Sequence, residues 1–401
     1  MTIGIIKERK TPPDRRVVFS PQKLKELESQ YSDLKFVVEP SDIRIFDDYA
    51  YRECGIKVSS DLSDCKVLLG VKEVPIDSLI PNKSYFFFSH TIKKQEYNRD
   101  LLRAILDNNI ELFDHEVITK NNGARLIGFG RYAGLVGAYN GFRLLGLRQR
   151  LFDLLKVETL RDLKEVKAEL DKIKIPNLKI LLTGNGKVAN GAREILEHLG
   201  IQEVIIGDYL TKSFREPVFA NAQALDYNKR KDLKPGNLAE FFSDPTPYES
   251  DFMKFAKVTD FFIAGHFYGE NAPYLFTRED VKDKDFKIKL VADISCDIDG
   301  PVASTIKPST IADPFYAYDP TTEKEVDAMN LDAIGVMAVD NLPCELPKDA
   351  SEGFGEMFAE YVIPAFFNND KDGILERARM TSDGKLTERY SYLQDFVDGK
   401  E

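Results

Sequence analysis

Cysteine is scarce in this sequence, and the few cysteines are too scattered to form a disulfide framework or a metal site. The four cysteines, Cys54, Cys65, Cys296 and Cys344, are scattered over 401 residues, and no Cys-x-x-Cys pair occurs. This excludes a disulfide scaffold and argues against zinc, because no group of histidines and cysteines has ligand spacing. We therefore expect reduced, partly buried thiols, a cytoplasmic location and no bound metal.

Long apolar runs and excess positive charge are also missing. No run approaches the ~18 apolar residues that a membrane-spanning helix needs, and the start of the chain lacks the apolar region and cleavage site of a secretory signal. The 55 lysines and arginines stand against 66 aspartates and glutamates, which argues against nucleic acid or an anionic membrane as the main partner. The composition is typical of a globular protein, and the length suggests two or three domains.

Short apolar runs alternate with amphipathic stretches along most of the chain, a pattern typical of parallel α/β units. Two series of such runs predict strands at residues 3–6, 36–38, 66–71, 85–88 and 111–113, and at residues 179–183, 203–206, 260–264, 288–293 and 333–339. Residues 130–151 and 351–367 predict long helices. The expected fold class is α/β, with two doubly wound parallel-sheet (Rossmann-like) domains separated by a cleft and linked by long helices.

The strongest chemical signal is the glycine-rich segment Gly184-Asn-Gly186-Lys187-Val188-Ala189. It lies between a predicted strand and a predicted helix, as a dinucleotide-binding turn requires. Gly184 would permit a tight turn, Gly186 would let the backbone approach a pyrophosphate, and Ala189 would allow close packing of helix on strand. A tight turn without a ligand is the alternative interpretation.

An acidic residue follows this turn at the spacing of a ribose-binding carboxylate. Asp208 comes ~20 residues after Gly186, just past the second predicted strand of this series. A carboxylate there would accept hydrogen bonds from the ribose 2′-hydroxyl and would repel a 2′-phosphate, which favours NAD as the cofactor. NADP is kept as the alternative, because Lys212 and Arg215 lie just downstream.

Charged residues also follow the predicted strands of the first series. Arg16 lies in the loop after the first strand, Lys72 and Glu73 follow the third, His90 follows the fourth and Glu116 the fifth. Ligands of open parallel sheets bind outside the carboxyl ends of the strands, so these side chains would converge on a polyanionic substrate and supply acid–base chemistry. Each residue alone could equally be a surface charge, a buried histidine or a helix cap.

The other histidines are weaker candidates. His266 follows the predicted strand 260–264 and could border the cofactor. His115 is expected to point away from its neighbour Glu116, and His198 lies on the helix after the glycine turn.

Taken together, these motifs resemble the alanine dehydrogenase/transhydrogenase superfamily, and most closely its branch of lysine-forming saccharopine dehydrogenases and lysine–2-oxoglutarate reductases. The Ser-His-Thr-Ile-Lys and Val-Asp-Asn-Leu-Pro stretches resemble the reductase half of the bifunctional lysine-degrading enzyme. The resemblance is carried by residues 14–16, 70–75, 85–95, 128–134, 184–189, 292–300, 339–351 and 381–386.

The resemblance implies a substrate domain formed by residues 1–131 with 342–401 and a dinucleotide-binding domain formed by residues 132–341. It implies an oxidoreductase that converts saccharopine, NAD(P)⁺ and water into lysine, 2-oxoglutarate and NAD(P)H. We expect small-molecule substrates and allow for a homo-oligomer. The reductase branch is associated with NADPH, whereas Asp208 suits NAD. We expect the chain to lack the second enzyme that bifunctional relatives carry.

The resemblance also implies roles for individual residues. Lys72 and His90 would be the acid–base pair, as their residue types can exchange protons near neutral pH when suitably placed. Arg16 and Arg131 would bind the substrate. Glu73 and Glu116 would tune the charge of the acid–base pair. Asp297 and Asn341 would line the nicotinamide side of the site.

Two rival functions stay open. The first is an alanine dehydrogenase, or another amino-acid or opine dehydrogenase, on the same scaffold. The second is a regulatory protein that binds a dinucleotide without turnover.

Overall fold

The computed structural model describes residues 1–400, which form two compact units. Unit 1 contains Met1–Phe129 and the described residues from Pro347 onward, and unit 2 contains Gly130–Leu346. The α/β fold class predicted from the sequence is confirmed, since each unit is built around a largely parallel sheet. That one unit binds substrate and the other a nucleotide stays a prediction.

Unit 1 is built on a six-stranded sheet in which all neighbouring strands are parallel, in the order β3-β2-β1-β4-β5-β6. All five predicted strands are present with slightly shifted ends, and only the two-residue β3 is additional. The elements are β1 (Thr2–Ile5), α1 (Pro21–Gln30), β2 (Lys35–Val38), α2 (Asp48–Glu53), β3 (Lys57–Val58), β4 (Val67–Leu69), β5 (Ser84–Phe87), α3 (Arg99–Asp107) and β6 (Glu111–Asp114).

Local sequence explains how α1 begins. Ser20 is extended, and its side chain accepts a hydrogen bond from the backbone N–H of Lys23, which would otherwise lack a partner in the first turn. Pro21 opens the helix at a position that needs no N–H donor. Leu24 and Leu27, one turn apart, are buried against the sheet.

Unit 2 is built on an eight-stranded sheet in the order β15-β14-β16-β13-β12-β7-β9-β8, antiparallel only at β14 and β15. A separate antiparallel pair is formed by β10 and β11. The elements are α4 (Gly130–Gln149), α5 (Leu163–Leu170), β7 (Lys179–Thr183), α6 (Lys187–His198), β8 (Gln202–Glu203), α7 (Ile206–Thr211), β9 (Val218–Ala222), α8 (Ala224–Tyr227), β10 (Asn228–Arg230), α9 (Leu238–Ser243), β11 (Tyr248–Ser250), α10 (Met253–Ala256), β12 (Phe261–Ala264), β13 (Leu290–Asp293), β14 (Phe315–Asp319), β15 (Lys324–Val326) and β16 (Ile334–Met337).

The long helix α4 packs against α6 through glycines. A Cβ atom at Gly134 would lie 1.9 Å from the carbonyl oxygen of Val188, and one at Gly191 would lie 2.0 Å from that of Arg131. The two backbones are therefore nearly in contact, and glycine is required at both places. The long helix predicted at residues 130–151 is thus present, and it ends at Gln149.

One predicted strand of unit 2 is wrong in part, and five strands, β9, β10, β11, β14 and β15, were not predicted. The run at residues 203–206 is strand only through Glu203, because Ile206 begins α7. β7 pairs with the predicted strand β12 on one side and with β9 on the other. β9 follows an irregular, charged segment and was not recognised. The pairing partner of a strand is a long-range property that a local apolar run does not reveal.

The chain returns to unit 1 through α11 (Pro347–Tyr361), α12 (Ile374–Ala378), β17 (Thr381–Ser382), β18 (Lys385–Leu386) and α13 (Gln394–Asp398). Phe354 and Phe358 on α11 complete the core of unit 1, where the ring of Phe358 meets those of Phe19 and Phe86 edge-on. Within residues 1–400, no helix combines the length and the apolar character needed to cross a membrane.

Candidate active site

The carboxyl ends of β5 and β6 in unit 1 bring a histidine against two carboxylates. His90 follows β5, and its Nδ1 lies 3.3 Å from Oε2 of Glu116, which follows the neighbouring β6. The other ring nitrogen, Nε2, lies 3.8 Å from Oε1 of Glu73, which follows β4. Three of the residues singled out in the sequence therefore meet, and the imidazole has a carboxylate at either nitrogen.

The backbone at His90 is in the left-handed region, with φ of 56°. That conformation is uncommon outside glycine, and histidine is among the residues that adopt it more readily. Lys93, one turn further along, places its Nζ 3.4 Å from Nδ1 of His90 and 3.6 Å from Glu116. The turn after β5 therefore aims both the imidazole and a cation at the carboxylate that follows β6.

Glu116 carries a permanent negative charge at this site. Burial would raise the pKa of its carboxyl, but the hydrogen bond from His90 and the charges of Lys93, His90 and Arg125 outweigh burial and hold this pKa at about 2. Arg125 contributes through a 3.3 Å ion pair to Glu116. The Oε2 atom of Glu73 accepts a hydrogen bond from Nζ of Lys10 at 3.0 Å, whereas its Oε1 is buried and makes no hydrogen bond within residues 1–400.

A second charged group of unit 1 contains Arg16. Its guanidinium is buried and grips Asp14 with two hydrogen bonds, of 2.6 and 3.0 Å, while its cation lies 4.2 Å from the centre of the Phe129 ring. Burial would raise the pKa of Asp14, but the charges of Arg16 and then Lys72 lower it to about 2. The charge of Lys72 thus acts on the Arg16–Asp14 pair, and no direct hydrogen bond joins Lys72 to His90 in the described chain.

Sequence reasoning missed Glu8, which follows β1. Its two carboxylate oxygens accept hydrogen bonds from the backbone N–H groups of Val71, at 2.7 Å, and Lys72, at 2.8 Å. Burial and then the charge of Asp14 raise the pKa of Glu8 to about 7. The carboxylate therefore fixes the backbone from which Lys72 projects. The only available signal was its position after a strand, and it was hidden within a run of charged residues.

Unit 2 carries the glycine turn in the geometry that the motif predicts. Gly184 has φ of 96°, and a Cβ atom there would lie 2.6 Å from the carbonyl oxygen of Gly265, so glycine is required. Gly186 is the N-cap of α6, and a Cβ atom there would meet nothing within 4 Å. The space beside Gly186 is therefore open, and the first-turn N–H groups of α6, from Lys187 and Val188 onward, lie at the positive end of the helix dipole. Ala189 is buried behind them.

Buried polar atoms without partners accompany this turn. Nδ1 of His266 lies 2.8 Å from the hydroxyl oxygen of Thr183 at the end of β7, whereas its Nε2 is buried and unpaired among the described residues. The same holds for the side-chain oxygens of Asn221 and Asn341. Because an unpaired buried polar atom costs free energy, these atoms fit a bound ligand that carries hydrogen-bonding groups, as a nicotinamide dinucleotide does.

Burial also changes the titration of two predicted cofactor residues. It lowers the pKa of His266 to about 4, so this imidazole is neutral at physiological pH. Burial and then the charge of Asp293 raise the pKa of Asp297 to about 6. Asp293 itself is held at the end of β13 by the hydroxyls of Ser295 and Thr305. His266 can therefore donate or accept a hydrogen bond without carrying charge.

The structure does not bring Asp208 to the glycine turn. Asp208 lies on α7 and pairs with Lys212 at 2.8 Å. The next residue, Tyr209, binds Nζ of Lys179 through its carbonyl oxygen and Thr259 through its hydroxyl. Lys179 and Thr259 mark the amino ends of β7 and β12, whereas the glycine turn follows the carboxyl end of β7. The ribose role predicted for Asp208 is therefore wrong, because the strand predicted to position it ends too early.

Arg131, on the first turn of α4, is also engaged within unit 2. Its Nε and Nη2 donate hydrogen bonds of 2.6 and 2.7 Å to the two oxygens of Glu194 on α6. The carboxylate holds the pKa of the Arg131 guanidinium above its usual range. A substrate carboxylate would have to compete with Glu194 for these two guanidinium donors. The substrate-binding role of Arg131 stays a prediction.

The two largely parallel-sheet units give the chain a Rossmann-like α/β fold, which known structures share. An L-alanine dehydrogenase superposes with a TM-score of 0.67 at 18% identity, covering 99% of this chain and 99% of its own. A transhydrogenase from Sinorhizobium meliloti superposes with a TM-score of 0.59 at 14% identity, covering 96% of this chain and 100% of its own. At such identities the likeness concerns the fold alone.

Comparisons with known sequences show which protein families this chain resembles. Residues 4–136 match the family described as "Alanine dehydrogenase/PNT, N-terminal domain". An alpha-aminoadipic semialdehyde synthase of Arabidopsis thaliana is 28% identical over 98% of this chain, and the mitochondrial one of Mus musculus is 28% identical over 97%. This chain spans only 41% and 47% of their lengths.

Another relative is matched over nearly its whole length, and its name describes one enzyme activity. The saccharopine dehydrogenase [NAD(+), L-lysine-forming] of Candida glabrata is 26% identical over 94% of this chain and 97% of its own length. The resemblance to the saccharopine branch of the superfamily, predicted from the motifs, is confirmed by these matches.

Proposed function

We propose that this chain is a nicotinamide-dinucleotide-dependent oxidoreductase that interconverts saccharopine with L-lysine and 2-oxoglutarate. The observation that carries the proposal is the arrangement in unit 1, where His90 lies between Glu73 and Glu116. The buried cation of Arg16 and the charge of Lys72 belong to the same unit. An imidazole that can exchange protons, in a unit that also carries cations able to hold carboxylates, suits a substrate that is both an amine and a polyanion.

The residues of unit 1 would perform the proton transfers. Conversion of the secondary amine of saccharopine to lysine requires an imine to be hydrated and then cleaved, and both steps move protons. His90 would take a proton at Nε2 while Glu116 holds Nδ1, so the imidazolium that forms is stabilised by charge on both sides. Lys72 would be the second proton carrier, and Arg16 would orient a substrate carboxylate.

The residues of unit 2 would hold the cofactor, which when bound supplies hydride transfer. The turn at Gly184 and Gly186 with the first turn of α6 would bind the pyrophosphate. His266, Asn341 and Asp297 would face the nicotinamide side, and the unpaired atoms of His266 and Asn341 would there gain hydrogen-bond partners.

Initial-rate assays test this proposal. We expect consumption of NADH or NADPH with 2-oxoglutarate and lysine, and little with pyruvate and ammonia. The matched reverse assay uses saccharopine with either oxidised cofactor. Turnover with pyruvate and ammonia alone would contradict the saccharopine reaction.

The match of residues 4–136 supports a second candidate, an amino-acid dehydrogenase of the alanine dehydrogenase type, and the same assay decides between the two. A silent binding protein would bind the dinucleotide without consuming it under either condition. The cytoplasmic location and a homo-oligomer stay predictions, to be tested by cell fractionation and by light scattering.

A further inference from the structure

The strand next to the glycine-turn strand determines which residue can reach the adenosine ribose. In a dinucleotide-binding sheet that strand carries the ribose-binding group at its carboxyl end. Here β7 lies between β12 and β9, and β9 is the one of the two that comes next after β7 in the chain. Thr183 lies opposite Ala222 of β9 in the parallel register, and β8 lies one strand further out. The backbone N–H of Gly184 donates to the carbonyl oxygen of Ala222 at 2.9 Å. The residue after Ala222 therefore lies beside the turn.

That residue is Gln223, and its side chain is exposed beside the turn. Its Oε1 lies 3.4 Å from Nδ2 of Asn185, the residue between the two glycines of the motif. Its own backbone N–H donates to Asp226 at 2.7 Å, which ties the Asp226 carboxylate to the start of α8. Two neutral amides, from Gln223 and Asn185, thus stand where an acidic residue would select against a 2′-phosphate.

We propose that Gln223 is the residue that determines cofactor specificity, and that its neutral amide lets unit 2 bind nicotinamide dinucleotides with and without a 2′-phosphate. The inference rests on the proposed function, since it assumes that the glycine turn binds a dinucleotide. A carboxylate at this place would accept both ribose hydroxyls but repel the phosphate, and a guanidinium would attract it. An amide can hydrogen-bond to either group and repels neither.

Equilibrium binding tests the proposal without relying on turnover. Dissociation constants for NADH and NADPH are measured by nucleotide fluorescence or calorimetry on the full chain. For the wild type we expect values within about fivefold of each other. Gln223→Glu should weaken NADPH binding by about tenfold or more and NADH binding by less than about threefold, because a carboxylate repels the 2′-phosphate. Gln223→Arg should shift the ratio in the opposite direction.

Two control variants separate Gln223 from nearby carboxylates. Asp208→Ala should leave the ratio of the NADH and NADPH dissociation constants unchanged within about twofold. The residue that follows Asp208 on α7 contacts the amino ends of β7 and β12, whereas Gln223 lies at the carboxyl end of β9. Asp226→Asn should change the ratio less than Gln223→Glu does. Circular dichroism verifies that each variant is folded. Because Gln223 is exposed, we expect substitutions there to leave the fold intact.

The outcomes distinguish this proposal from the proposed function. If both nucleotides bind but neither Gln223 variant changes their ratio, the specificity role is refuted and the proposed function stands. A shift of the ratio by Asp208→Ala would likewise refute it. If neither nucleotide binds to the folded wild type, both the proposed function and this inference are contradicted.

Discussion

Nδ1 of His90 lies 3.3 Å from Oε2 of Glu116, and the two residues follow neighbouring parallel strands. The contact joins an imidazole in a left-handed turn to a carboxylate that stays ionised at any physiological pH. Removing either partner should therefore affect proton transfer more than folding.

His90→Gln should lower kcat by about 100-fold, as expected for the loss of a general acid–base group. Glu116→Gln should lower kcat by about tenfold, because the imidazole stays in place but loses a fixed charge. Steady-state rates with saccharopine measure both effects. The control is His198→Gln, a histidine on α6 that pairs with Asp171 and should leave kcat unchanged. Wild-type turnover by His90→Gln would refute its acid–base role.

Glu8→Gln should lower kcat while leaving KM nearly unchanged. The amide retains one acceptor for the backbone N–H groups of Val71 and Lys72 but presents NH₂ to the other, so the backbone that carries Lys72 must shift. We expect a loss of about tenfold, against about 100-fold for Lys72→Met, which removes the amine itself. The double variant should lose no more than Lys72→Met alone. Additive losses would mean that Glu8 acts independently of Lys72.

Gly134→Ala should destabilise unit 2, because the new Cβ would lie 1.9 Å from the carbonyl oxygen of Val188. Separating α4 from α6 to relieve this overlap should lower the free energy of unfolding by about 3 kcal/mol. Urea denaturation measures the change. Gly207→Ala on α7 is the matched control, since a Cβ there meets nothing within 4 Å. Equal stability of the two variants would contradict the close helix packing.

Glu345 should make stability depend on pH. It is buried, and its Oε1 accepts a 2.9 Å hydrogen bond from Asn140. Burial, first of all, raises its pKa from an ordinary value of 4.5 to about 8. The folded protein therefore holds a proton that the unfolded chain releases, and this contribution to stability, complete below the unfolded pKa, is lost as pH rises through about 8.

The matching variant is Glu345→Gln, which keeps an acceptor for Asn140 but cannot ionise. It should remove a decline of a few kcal/mol in the free energy of unfolding as the pH rises from 4.5 to 8. Denaturation curves across this range measure it. Glu197→Gln, an exposed carboxyl on α6, should leave the decline intact. An unchanged pH dependence in Glu345→Gln would refute a buried neutral carboxyl.

Local patterns predicted much of what was found. The apolar runs that precede Lys72, His90 and Glu116 are strands because each run is short, apolar and followed by polar residues. The meeting of His90 with Glu116 and Glu73 could be anticipated, since the carboxyl ends of parallel strands share one edge of a sheet. The glycine turn could also be predicted, because its tight backbone conformation at Gly184, with φ of 96°, favours glycine and so leaves a mark in the sequence.

Only the tertiary structure decided the rest. It showed that β9, not the run before Asp208, lies beside the glycine turn, and that Glu8 grips the backbone of Lys72 from sixty-odd positions away in the chain. It also showed that Arg131 is paired with Glu194. The sequence by itself determined where strands and turns form, because propensity and apolar period act over a few neighbouring residues. Which strands pair, and which buried charges meet, depends on packing between distant segments, and no local pattern records it.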